Sequence, residues 1–195
     1  MLSFLVLAVM SMTFETEPRD TVLVRLHDVV PDLLTDVRYA TPDNFTKRIL
    51  YTSDTLYARR AMAEQLSVAQ RAARAQGLQL KVYDAYRPLS IQRLMWSIVP
   101  DERYVADPAK GSRHNRGCAV DLTLCDSTGA ELDMGTGYDE FTERAAATFV
   151  DLPEHVLANR RLLDRIMNDA GFSVLPSEWW HYDLRGWESF AILNE

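Results

Sequence analysis

His114 and Asp121 belong to a stretch, residues 111–124, that opens as a polar loop punctuated by glycine and closes as an apolar run. The apolar run reads as a buried strand, and Asp121 interrupts it. A carboxylate in such a place is costly unless a cation or a set of donors neutralises it. A metal is the economical cation, and a turn at Gly117 would bring His114 and Asp121 together as two of its ligands. The third ligand must come from elsewhere. Near the C-terminus, Glu178-Trp179-Trp180-His181-Tyr182 offers His181, with a carboxylate three residues before it and large aromatics around it.

Two histidines and one carboxylate form a donor set of the catalytic zinc type, in which three protein ligands leave a fourth position open. A metal there lowers the pKa of bound water from 15.7 to about 7. Glu178 would crowd such a site as a fourth ligand and fits better as the general base. Arg87, at the mouth of a strand, is placed to face a developing oxyanion. Each assignment has a plainer alternative. Asp121 could pair with Arg116, Arg87 could form a structural ion pair with Asp84, and Glu178 could be a solvated charge. The chain has only four histidines, and two of them occur in these settings. That coincidence favours the metal. His27 and His155 lack comparable neighbours and receive no function. The helical zincin pattern, two histidines and a glutamate on one helix, is absent.

The elements that must position these groups are mixed. Alternation predicts a strand within residues 21–30, and an apolar face at Ala58, Met62, Leu66, Ala69 and Ala73 predicts a helix over 53–76 capped by Ser53 or Asp54. A strand over 78–83 follows, then a helix from Pro88 to Trp96 and a long loop over 99–112. A helix over 157–170 and a strand over 179–184 complete the order, which is α+β rather than alternating α/β. At 195 residues, with 47% hydrophobic and 25% charged residues, the chain makes one domain with its own core. A net charge of −7 argues against nucleic acid or an anionic membrane as partner. No run is long enough to span a membrane. Residues 2–10 have the length of a signal-peptide apolar core, although no Lys or Arg precedes them, and export is favoured over a cytoplasmic location. Residues 1–12 are then a leader or extension and 13–195 the domain. Cys118 and Cys125, on opposite faces of one strand, are out of disulfide reach and read as small buried hydrophobes.

The pattern S-x-H-x-x-G-x-A-x-D over residues 112–121, together with Glu178-Trp179-Trp180-His181, closely resembles the zinc D-alanyl-D-alanine dipeptidases, the family that includes the vancomycin-resistance dipeptidase. Tyr39-Ala40-Thr41 with Asp43-Asn44-Phe45, Asp84-Ala85-Tyr86-Arg87-Pro88, and Met134-Gly135 with Tyr138-Asp139 match it in the same order. The resemblance runs from about Arg38 to Leu184. Departures are small: Cys118 stands where small residues are usual, and the segment between Trp96 and Gly111 is short.

The resemblance implies one zinc per chain held by His114, Asp121 and His181, with Glu178 as base and Arg87 stabilising the transition state. It places Tyr39, Ser112 and Asp139 around the dipeptide, and it implies a mostly antiparallel sheet with flanking helices, related to the Hedgehog signalling domain. The expected reaction is hydrolysis of D-Ala-D-Ala to two D-alanines. A D,D-carboxypeptidase or cell-wall endopeptidase, and a zinc-bearing binding module without activity, are the alternatives. Asp139 is a candidate reader of the substrate ammonium; its plainer role would be to cap a helix starting near Phe141.

Overall fold

The computed structural model describes residues 21–193; the apolar segment at residues 2–10 and the proposed leader lie outside them. The site is carried by a five-stranded sheet. Its strands are β2 (Leu34–Thr35), β4 (Gln79–Asp84), β5 (Ala119–Cys125), β7 (His181–Leu184) and β6 (Phe172–Val174), in that spatial order. Only the β2–β4 pair is parallel; the other three are antiparallel. A small antiparallel pair, β1 (Leu23–Arg25) with β3 (Tyr57–Arg59), stands apart. The helices are α1 (Leu26–Val29), α2 (Arg60–Arg74), α3 (Leu89–Ile98) and α4 (Glu154–Asp169). The α+β assignment holds.

Strand β5 is central and buried along its whole length. By the two-residue alternation of a strand, Val120, Leu122 and Leu124 share one face. That face joins Leu80 and Val82 of β4, Tyr182 and Leu184 of β7, and the apolar stripes of α2 and α4 in one core. Met62, Leu66, Ala69 and Ala73 supply the α2 stripe, and Leu163, Ile166 and Met167 that of α4. The other face carries Asp121, so the two halves of the alternation separate packing from chemistry.

Several boundaries differ from expectation for local reasons. The strand expected over residues 21–30 is cut short at Arg25, and Leu26–Val29 turns into α1, placing His27 in a helix. Helix α2 begins at Arg60, not at Ser53, because Tyr57–Arg59 is taken by pairing with β1. The Ser53 hydroxyl is used instead in a local turn, accepting from the Thr55 backbone N–H at 3.1 Å. Helix α4 starts at Glu154, just after Pro153, three residues ahead of the expected start. His155 lies in its first turn, exposed, and meets Asp133 at 3.1 Å. Cys118 and Cys125 are free and buried. Burial pushes their thiols up, to about 12 and about 11, which keeps them protonated and inert.

Candidate active site

Three strands place one residue each in a row. Asp84 of β4 is the Cα partner of Asp121 of β5, which is in turn the partner of His181 of β7. The first pairing needs an irregularity: the β4–β5 register shifts between Val82 and Asp84, and this extra residue carries Asp84 into line with Asp121. His114 arrives from the chain just before β5. A 3-10 turn over His114–Arg116 closes at Gly117, whose φ of 69° lies in the left-handed region. A Cβ at Gly117 would also come within 3.1 Å of the Arg59 backbone nitrogen, so both the turn and the contact call for glycine.

The result is a triangle of donor atoms. His181 Nδ1 lies 3.0 Å from Asp121 Oδ1 and 3.2 Å from His114 Nε2. The third edge, His114 Nε2 to Asp121 Oδ1, is 3.3 Å. All three side chains are buried. Zinc ligands at their usual bond lengths in a tetrahedron stand about 3.3 Å apart, so the triangle matches one face of such a site. The far nitrogens are also held. His114 Nδ1 meets the Ala85 carbonyl at 2.6 Å, and His181 Nε2 meets Asp183 Oδ1 at 2.9 Å. With protons on those far nitrogens, both rings turn a lone pair toward the carboxylate. Such a convergence is unfavourable unless a cation lies at its centre.

The electrostatics agree. Burial alone would raise the Asp121 carboxyl, yet His114 and His181 hold it well below the usual carboxylate range. Burial opposes charge on His181, but Asp121 and Asp183 push it up to about 10. In the absence of metal the site holds a proton strongly, which is the same preference for positive charge. The donor set fits zinc.

Glu178 lies beside the triangle and outside it. Its Oε2 is 3.8 Å from His181 Nδ1, and its carboxylate accepts no hydrogen bond among the described residues. Burial pushes its pKa up, so it holds a proton more readily than an exposed glutamate. Arg87 makes the ion pair with Asp84 that was its plainer alternative: Nε and Nη2 donate to Asp84 Oδ2 at 2.9 and 2.8 Å. Nη1 donates to Gln92 at 3.0 Å. Nη2 is also 3.8 Å from Asp121 Oδ2, and Arg87 lines the same cavity as the triangle. The ion pair therefore holds the guanidinium beside the triangle, at the wall of the same cavity. Arg116 does not pair with Asp121; it donates to the Phe190 carbonyl.

Tyr39, Ser112 and Asp139 all line this cavity, whose volume is about 540 Å³. The Tyr39 hydroxyl donates to the Asp139 carboxylate at 3.0 Å, and Tyr138 bridges Tyr39 at 3.1 Å to Asp121 Oδ2 at 2.9 Å. Burial first, and Asp121 second, raise the Asp139 carboxyl well above its ordinary value. Asp139 caps no helix: the nearest turn, Glu143–Ala145, is preceded by Thr142 and has no side-chain cap. Ser112 accepts from the Asn115 backbone N–H at 3.2 Å, which leaves its hydroxyl proton available.

Asp183, Tyr138 and the bulged Asp84 are the groups that sequence reasoning did not place in the site. Asp183 had a usable signal, since two residues beyond His181 in a strand is the same face. Tyr138 had one in its position beside Asp139.

Fold and site together define a metallopeptidase-type centre: a two-histidine, one-carboxylate cluster with a free glutamate and an arginine in one cavity. The D-ala-D-ala dipeptidase family model of the M15 peptidases matches residues 19–190, and the chain belongs to that family. A D-alanyl-D-alanine dipeptidase of Escherichia coli is 42% identical over 90% of this chain and 91% of its own length. One from Enterococcus faecalis is 34% identical over 76% of this chain and 84% of its own. A solved structure of the vancomycin-resistance D,D-pentapeptidase VanY with Zn(II) has a TM-score of 0.47 at 21% identity, covering 70% of this chain and 78% of that one.

Metal analysis of the purified protein is expected to give close to one zinc per chain, reduced in His114→Ala and in His181→Ala. Full zinc in both variants would remove the ligand assignment. Glu178→Gln keeps shape but cannot take a proton, so it is expected to retain zinc while losing about 10²–10⁴ in rate. Loss of metal in that variant would instead make Glu178 a ligand.

Proposed function

We propose that this chain hydrolyses the dipeptide D-Ala-D-Ala to two D-alanines in a zinc-dependent reaction. The observation that supports it most is the sharing of one cavity by the donor triangle, Glu178, Arg87 and Asp139. The family membership and the naming of its curated relatives give the substrate its chemical identity.

His114, Asp121 and His181 would hold the zinc, which would supply Lewis acidity toward the scissile carbonyl and the attacking water. Glu178, near the triangle and unbonded, takes the proton of the attacking water and passes it to the leaving amine. Its raised pKa suits both halves of that transfer, because a carboxyl that binds a proton more firmly is a better base. Arg87, locked by Asp84 and Gln92, keeps N–H groups to spare for the oxyanion that forms as the carbonyl is attacked. Rigidity matters here: a guanidinium already fixed loses no further freedom as charge develops.

Asp139 reads the substrate ammonium. Burial and the neighbouring Asp121 disfavour its charge, and a substrate ammonium beside it would offset both causes. Tyr39 holds the carboxylate from one side. A free ammonium is what separates a dipeptide from the end of a longer chain, so this contact also separates the dipeptidase from a carboxypeptidase.

Arg87→Ala is expected to lower turnover by roughly 10²–10³, or about 2.7–4 kcal/mol, as for loss of one oxyanion donor. An unchanged rate would leave Arg87 with only its ion pair to Asp84. The substrate reading itself is tested by acylation. N-acetyl-D-Ala-D-Ala is expected to be cleaved at least ~100-fold more slowly than D-Ala-D-Ala, a gap of about 2.7 kcal/mol. Asp139→Asn is expected to narrow the gap by slowing the free dipeptide. Equal wild-type rates on the two substrates would favour the carboxypeptidase.

A further inference from the structure

A dipeptide is a zwitterion, and Asp139 accounts for only one of its charges. The α-carboxylate at the other end needs a cation with unused donors. Five cations line the cavity: Arg87, Arg103, Lys110, Arg113 and Arg116. Arg87 is held by Asp84 and Gln92, and the N–H groups it has left are assigned to the oxyanion. Arg103 chelates Asp101 at the surface, at 3.0 and 3.1 Å from Nε, and Lys110 meets both oxygens of Glu102 at 2.7 and 2.9 Å. Arg116 also lies over Trp187, at 5.4 Å, but donates from Nη1 to the Phe190 carbonyl, which occupies one arm of its terminal fork.

Arg113 differs from the other four. Among the described residues its one ionic contact is from Nε to Asp183 Oδ2, at 3.4 Å, and neither Nη is bonded. Its guanidinium carbon lies 5.0 Å from the ring centroid of Trp187, which also lines the cavity. The contact at Nε and the one with Trp187 hold the group at its side and leave its terminal fork open. The side chain is 38% exposed, so the fork is reachable. Two parallel N–H groups on a planar fork are the geometry that a carboxylate accepts bidentately.

The placement fits the reaction. Asp183, which holds Arg113, is the carboxylate that holds His181 through Nε2. Asp139 is tied to the same triangle by a different route, through Tyr39, Tyr138 and Asp121. The acidic reader and the open cation thus leave the metal triangle by separate ligands, as the two ends of a bound zwitterion would.

We propose that Arg113 is a specificity-determining residue that binds the substrate α-carboxylate and makes the enzyme select dipeptides with a free carboxyl end. The proposal rests on the dipeptidase reading above. It is tested by comparing D-Ala-D-Ala with D-Ala-D-alaninamide on the zinc-loaded enzyme, wild type against Arg113→Ala and Arg113→Lys, with zinc content measured in each. The wild type is expected to prefer the acid in kcat/KM by at least ~30-fold, the scale of losing one partner of a charge pair. In Arg113→Ala that preference is expected to collapse toward unity through a raised KM for the acid, with zinc still near one per chain. Arg113→Lys is expected to recover part of it, having charge without the fork. An unchanged acid-to-amide ratio in Arg113→Ala would overturn the proposal, as would equal slowing on both substrates with loss of zinc, which marks a purely structural prop for Asp183. Failure of the wild type to cleave D-Ala-D-Ala at all would instead overturn the dipeptidase reading and this proposal with it.

Discussion

Everything in the site depends on a carboxylate that the sheet buries and cannot neutralise by itself. Asp121 sits in the middle strand, with β4 on one side and β7 on the other, and the residue is only 3% exposed. Its direct neighbours across the sheet are another acid, Asp84, and His181. A lone ionised group in such surroundings would be expelled or protonated. The two acids are neutralised in different ways. Arg87 neutralises Asp84 outright through two hydrogen bonds. Asp121 is left facing imidazoles, which neutralise it only when they carry a proton or share a metal. The division is what converts a buried acidic row into a binding site.

The bulge in β4 is the backbone feature that creates this division. In regular antiparallel register, the residue after Val82, paired with Leu122, would be Tyr83, and Tyr83 would face Asp121. With one extra residue inserted, Asp84 takes that place and Tyr83 is freed to stack on Tyr138, with ring centroids 4.5 Å apart. Tyr138 is thereby held where its hydroxyl reaches Asp121. One irregularity therefore delivers the Arg87 anchor and supports the hydroxyl relay to Asp139. This agrees with the tendency of bulges to occur beside functional sites, where they re-aim side chains.

The part of the site legible in sequence was the part whose chemistry is improbable in any other setting. An aspartate in an apolar run and a histidine between aromatics demand explanation wherever the chain goes, and His114, Asp121 and His181 did converge. Asp183 and Asp84 carried no such demand, because an acid near a strand end is ordinary until the register is known. The secondary structure shows the same limit. The apolar face of α2 was evident, but its start was not, since the periodicity runs on through Ala58 while Tyr57–Arg59 is claimed by β1. Strands β2 and β6, of two and three residues, exist only because neighbouring strands offer them hydrogen bonds. Local pattern describes what a segment prefers. Pairing partners decide what it becomes.

The ion pair that Arg87 makes does not stand against the catalytic role proposed for it. A flexible arginine at the mouth of a pocket would have to give up rotamer freedom each time it met an oxyanion. Here the freedom is lost during folding, to Asp84 on one edge and Gln92 on the other, and Gln92 is itself fixed by donating to the Ala106 carbonyl at 2.7 Å. Two of the three guanidinium nitrogens still have an N–H that none of these bonds uses. Asp84 in turn is not free to swing away, because Tyr51 donates to it at 2.7 Å and the Ala85 backbone N–H at 2.9 Å. The cost of burying the pair is met by that complete set of bonds, which is the condition under which a buried ion pair is tolerated. What the fold gains from the pair is a cation of fixed direction beside the donor triangle, and an unpaired Arg87 could not supply that.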